Sequence, residues 1–185
     1  MNRDQLLHVI RAAAIVTGVD DLVVLGSQAV LASVDDFELP WEVTRSVEAD
    51  IAVDLQIGRV ELGTSSEDLA LLIDGAIGEG SHFHATFGYY GEGVEIEVAV
   101  LADGWRDRLV PLIAESPAGP KVGWCLSVPD VWVAKAAAGR QKDSEFCRAL
   151  ASNRIVLRGE VEALAARLQP PRRNVVTAMV ERSFG

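Results

Sequence analysis

Cysteine is scarce: Cys125 and Cys147 are the only two in 185 residues, and neither belongs to a Cys-x-x-Cys pair. That count argues against a disulfide framework or a cysteine zinc site and points to a reducing compartment, the cytoplasm. Long apolar runs are missing too, so no membrane-spanning segment is expected. The N-terminus, MNRDQLLHVIRAAA, is amphipathic and lacks the apolar centre of a secretion signal. Positive charge is short, with 17 Lys and Arg against 27 Asp and Glu, which argues against a general nucleic-acid binder.

What charge there is divides unevenly. Residues 1–134 hold 7 Lys and Arg against 22 Asp and Glu, whereas residues 135–185 hold 10 against 5. The first part is suited to hold metal and the second to receive phosphate, although a plain solubilising surface fits the charge equally well. The length suits one domain with a helical appendage. We read a core over 1–128 and a helical C-terminal subdomain over 129–185 packed on it.

Hydrophobic periodicity gives the elements. Residues 4–17 carry an apolar helical stripe that ends at Gly18. Leu22 to Leu25 is a strand-length apolar run that breaks at Gly26-Ser27, and 28–32 open a helix. From Val47 to Asp54 the chain alternates, which predicts a strand with Glu48 and Asp50 side by side on one face. Residues 66–77 predict a capped helix, and 80–93 predict a loop with a hairpin, a candidate flap carrying His82 and His84. Val94 to Leu101 alternates again and predicts another strand, with Glu97 and Glu95 on one face. Residues 104–113 predict a short helix, 124–128 a last strand, and 129–150 a helix broken near Gly139. Helices around 160–168 and 175–180 follow.

Two same-face acids in one short strand repel each other unless a cation lies between them, and acids are poor strand formers. Glu48 and Asp50 therefore read as metal ligands or as the exposed face of an edge strand. Asp54 shares that face at the strand end. Glu97 joins as a third carboxylate if its strand neighbours theirs. Gly26-Ser27 reads as a tight turn with a serine cap, or as a phosphate cradle at a helix start. Lys135 stands in an apolar helix, and Arg140, Lys142 and Asp143 follow the break. They read as a snorkelling lysine and a cap, or as Lys135 and Arg140 meeting a triphosphate with Asp143 orienting one of them.

The blocks LVVLGSQAVL and SVEADIAV resemble the Gly-Ser and acid-x-acid motifs of the DNA polymerase beta-like nucleotidyltransferase superfamily. VAKAAAGRQKDSEFCRAL resembles the Lys…Ala-Gly-Arg-x-Lys-Asp segment of small bacterial nucleotidyltransferase-like proteins related to AbiEii and MenT-type toxins of toxin–antitoxin systems. The resemblance implies an α+β fold: a mixed sheet flanked by helices with a helical C-terminal part. It implies transfer of a nucleoside monophosphate from an NTP to a hydroxyl acceptor, an RNA such as a tRNA end among them. Gly26 and Ser27 would meet the nucleotide phosphates, with Arg140 and Lys142 beside them. Glu48, Asp50 and Glu97 would hold two Mg²⁺ ions, and Lys135 and Asp143 would be the supporting basic and acidic pair. An antitoxin protein is an implied partner. Glu48 and Glu97 stand where aspartate is usual, so the alternative is a non-catalytic module of the same fold that binds nucleotide or a partner protein.

Overall fold

The N-terminal stripe forms α1, Arg3–Thr17, opened by a capping box between Asn2 and Gln5 and closed by Gly18 in the left-handed conformation (φ 71°). The computed structural model describes residues 1–60 and 63–185. After α1 come β1 (Asp21–Val24), a 3-10 helix over Ser27–Ala32, the single turn α2 (Trp41–Thr44) and β2 (Glu48–Ala52). Helices α3 (Ser66–Ile77) and α4 (His82–Phe87) lead to β3 (Tyr90–Gly93). Then follow β4 (Val110–Ala114), β5 (Lys121–Cys125) and four helices: α5 (Val128–Ala138), α6 (Gln141–Ser152), α7 (Arg158–Ala165) and α8 (Arg172–Phe184).

The five strands make one sheet in the order β3-β2-β1-β5-β4. Pairs β1–β5 and β2–β3 are parallel, and β1–β2 and β4–β5 are antiparallel. The protein is thus mixed α+β, a five-stranded mixed sheet flanked by helices. Among the described residues no helix is long and apolar enough to cross a membrane.

Alternation and register sort the side chains into two faces. Ala49 pairs with Gly91 and Ile51 with Gly93, and this face lies under α1 and α3. The approach there is so close that a Cβ on Gly91 would stand 2.8 Å from Val9 and 2.9 Å from Ile77, and one on Gly93 only 2.0 Å from the Ala70 carbonyl oxygen. The other face carries Glu48, Asp50, Tyr90 and Glu92.

Helix α5 is buried almost all round, through Val131, Trp132, Val133, Ala136 and Ala137 among others. It packs against α6, α7 and α8 and against the 3-10 helix after β1. Its buried Asp130 takes two bonds from Arg108, at 2.9 and 2.7 Å, and receives the Ser127 hydroxyl. Gly139 closes it in the left-handed conformation (φ 70°), which turns the chain sharply into α6. The Trp132 indole N–H donates to the Cys147 carbonyl at 3.0 Å and joins the two helices. Both cysteines are free and buried, and burial pushes the Cys125 thiol up to about 12.

Several elements differ from the sequence reading, among them β5, which covers Lys121–Cys125 where 124–128 was expected, because Val128 already opens α5. The segment 80–93 is not a hairpin flap: His82 and His84 lie on α4, opened by a Ser81 cap, and the chain then enters the sheet as β3. The alternating run 94–101 is not a strand. Its last ladder bond is Val94 N–H to the Ile51 carbonyl, at 2.9 Å. Beyond Asp54 the β2 chain coils into a turn closed by Ile57 and Gly58 N–H on the Asp54 carbonyl, so Glu95 to Val100 find no strand to pair with. Residues 110–114 form β4 instead of a helix, because β5 offers them five consecutive antiparallel partners.

Candidate active site

Strands β2 and β3 run parallel with Glu48 opposite Tyr90 and Asp50 opposite Glu92. The four side chains form a square on the face away from α1 and α3. One carboxylate oxygen from each of Glu48, Asp50 and Glu92 lies within 4.8 Å of the other two. The third acid is therefore Glu92 and not Glu97, which sits exposed on a 3-10 turn, Ile96–Val98, outside the sheet. Strand β2 is interior, flanked by β1 and β3, so its acids do not belong to an exposed edge.

Gly26 forms the apex of the cleft. Its backbone (φ 60°, ψ −164°) lies in a region that only glycine occupies without strain. A Cβ there would stand 1.6 Å from Asp50 Oδ2, so the missing side chain is what lets the Asp50 carboxylate rest against the turn. The following helix is 3-10 and uncapped by any side chain, so Ser27 is not its cap. Ser27 instead lines a recess shared with Glu48, Asp50, Arg45, Lys135 and Lys142.

Close carboxylates in a partly desolvated site resist joint ionisation. Burial, then the Glu48 charge, pushes Asp50 up to about 6. Burial and the hydrogen bond and charge of Glu48 push Glu92 up to about 7. Glu48 is held below its ordinary value: hydrogen bonds from Glu92, Tyr90 and Asp50 overcome the effect of its burial. Near neutral pH Glu92 still holds a proton for part of the time, and Asp50 takes one as the pH falls toward 6; a cation would displace them.

The opposite wall is cationic. Lys135 Nζ is 3.6 Å from Asp143 Oδ1, and Arg140 Nε donates to Asp143 Oδ2 at 2.7 Å. Asp143 is 1% exposed, so one buried carboxylate holds both basic side chains in place. Lys135 and Lys142 each favour the ionised form of Asp50, and Lys135, Arg140 and Lys142 line one cleft of about 230 Å³ with Gly26 and the three acids. The pairing of Lys135 with Asp143 leaves Glu48 free of it.

No family model, curated protein or solved structure matches the chain.

Of the residues singled out from sequence, the cleft unites Gly26, Glu48, Asp50, Lys135, Arg140 and Lys142, with Ser27 and Asp143 in the adjoining recess. Glu97 is left out. Asp54, on the face of Glu48 and Asp50 in the sequence reading, is buried in a structural pair: it takes Arg106 Nε at 2.6 Å and the Gln56 N–H at 2.9 Å. His84 packs its ring on Tyr90 at 4.6 Å and does not enter the cleft lining. Glu92, Tyr90 and Arg45 were missed. The available signal was Tyr-Gly-Glu-Gly, in which glycines alternate with large polar residues as they do where a helix presses on one face of a strand.

The two glutamates separate by experiment. Glu92→Gln is expected to weaken Mn²⁺ binding more than about tenfold, at least the loss typical of a residue that only supports a ligand. Glu97→Gln should leave it unchanged. Titration of Mn²⁺ by electron paramagnetic resonance reads both, and equal behaviour would remove Glu92 from the site.

Proposed function

We propose that this protein is a metal-dependent nucleotidyltransferase with the DNA polymerase beta-like fold, moving a nucleoside monophosphate from an NTP to a hydroxyl acceptor. The observation that carries the reading is the convergence of Glu48, Asp50 and Glu92 across a narrow cleft from Lys135, Arg140 and Lys142. The donor set fits Mg²⁺, which prefers carboxylate oxygens and the phosphates of its substrate. The mutual repulsion of the three acids is what a divalent cation relieves.

Glu48, Asp50 and Glu92 would hold the metal. Bound there, Mg²⁺ supplies Lewis-acid polarisation of phosphoryl oxygens and makes an acceptor hydroxyl easier to deprotonate. Lys135, Arg140 and Lys142 bind the triphosphate and offset its charge, the main demand of phosphoryl chemistry on a protein. Asp143 keeps Lys135 and Arg140 turned toward the cleft. Gly26 makes room for the Asp50 carboxylate at the rim of the phosphate site. The acceptor class follows the family reading: an RNA end is the first to test, with a protein hydroxyl next and an antitoxin as inhibitory partner.

Calorimetry with each NTP, with and without Mg²⁺, tests the reading. Wild-type protein is expected to bind nucleotide only with Mg²⁺, and Glu48→Ala/Asp50→Ala to lose that binding. Nucleotide binding indifferent to metal and to the double variant would overturn the transferase reading. Mg²⁺-dependent binding without transfer of an α-labelled phosphate to any hydroxyl acceptor would leave the non-catalytic module.

A further inference from the structure

One member of the square on the sheet is not an acid. Tyr90 stands directly opposite Glu48 in the β2–β3 register, and its hydroxyl donates to Glu48 Oε2 at 3.0 Å. The phenol is itself held. Its residue is 8% exposed, and the His84 ring packs on it with centroids 4.6 Å apart. His84 is fixed in turn, because its Nδ1 accepts the Gly80 N–H at 3.1 Å, which leaves the ring proton on Nε2. A chain of contacts thus runs from the α3–α4 turn through His84 and Tyr90 to one oxygen of Glu48.

Glutamate has one more rotatable bond than aspartate, and holding it in a single geometry loses more side-chain freedom. Among the three acids only Glu48 has a neutral side chain anchored to it: Asp50 rests against the Gly26 backbone, and Glu92 is the most open of the three. We infer that Tyr90 is a positioning residue that fixes the Glu48 carboxylate through Oε2 and presents Oε1 to the metal. The inference rests on the metal reading of the triad and assigns a cause to the unusual glutamate: the longer arm is usable because a phenol pins it.

The test is a double-mutant cycle read by Mn²⁺ affinity, with Mn²⁺ alone as probe. Tyr90→Phe keeps the ring and its packing on His84 and removes only the hydroxyl. It is expected to weaken Mn²⁺ binding about tenfold, the low end of what supporting partners contribute. Glu48→Asp withdraws the carboxylate from the reach of the phenol, so adding Tyr90→Phe to it should change the affinity by less than about twofold. A purely structural role would lower the thermal midpoint equally in both backgrounds and leave Mn²⁺ affinity alone. Unchanged affinity in Tyr90→Phe, or the same loss in both backgrounds, overturns the inference while wild-type binding keeps the metal reading. Absence of Mn²⁺ binding by the wild type overturns both.

Discussion

Gly26→Ala is expected to unseat Asp50 and, with it, metal binding. Two effects add. A non-glycine residue at φ 60°, ψ −164° strains the backbone by about 1–3 kcal/mol. The new Cβ would also stand 1.6 Å from Asp50 Oδ2, and neither group can remain in place. The carboxylate must swing away from Glu48 and Glu92, so Mn²⁺ affinity should fall by about a hundredfold or more, beyond the loss of a supporting contact. With a total near 3 kcal/mol, the thermal midpoint should drop by roughly 6–12 °C in a chain of this size. Asp50→Ala in the same chain separates the two parts: it removes the collision and leaves the strain, so Gly26→Ala should destabilise that background less. An equal drop in both backgrounds, or a Gly26→Ala variant with wild-type Mn²⁺ affinity, would show that the glycine does not make room for Asp50.

Without metal the triad should work against stability as the pH rises. Asp50 and Glu92 are both pushed up in the folded protein, to about 6 and about 7. Below about pH 3, under the ordinary aspartate and glutamate values, these two groups are protonated whether the chain is folded or not, and their contribution is fully present. As the pH climbs toward 7 the unfolded chain releases its protons while the folded chain retains them, so stability is lost and stays lost above about pH 7. Glu48 runs the other way, since its value is lowered. Its contribution is present above the ordinary glutamate range and is lost only as the pH falls through its depressed value, below this window.

The metal-free thermal midpoint should therefore fall between pH 5 and pH 8. Asp50→Asn should raise the midpoint at pH 8 by roughly 6–12 °C, which corresponds to about 3 kcal/mol for a carboxyl pushed up to about 6. Mg²⁺ should stabilise the wild type at pH 8, lose that effect near pH 5 where protons compete for the same oxygens, and do little for Asp50→Asn at either pH. A wild-type midpoint that rises across the window, or an Asp50→Asn variant less stable at pH 8, would mean that the three acids are not in mutual repulsion.

Much of the architecture was legible from local pattern. The capping residues and apolar stripes over 4–17 and 66–77 are confined to single helices, and Gly139 marks the one sharp break in the helical run after residue 128. In each case the deciding interaction lies within a few residues of sequence, so the sequence carries it. The same locality exposed Glu48 and Asp50 as neighbours, because alternation along one strand needs no partner. It also placed Lys135, Arg140 and Asp143 together around one turn.

The third carboxylate was hidden for the opposite reason. Val94 to Val100 alternates better than Tyr90 to Gly93, and by pattern alone Glu97 outranks Glu92. A strand, however, exists only where a neighbour offers its backbone, and β2 offers bonds to β3 only as far as the Ile51 carbonyl before the chain turns at Asp54. The glycines on either side of Glu92 weaken strand pattern in the sequence, and in the fold they are what allows α3 to lie on that strand.

By itself, then, the sequence determined the long helices over 4–17 and 66–77, the break at Gly139, the two acids of one strand and the basic cluster after that break, since short-range spacing specifies each. The tertiary structure alone decided which strand pairs with β2, that Glu92 and Tyr90 complete its face, that Asp54 is spent on Arg106, and that Gly26 touches Asp50. All of these depend on close approaches between segments distant along the chain, where backbone pairing and the space left by a missing side chain outweigh local pattern.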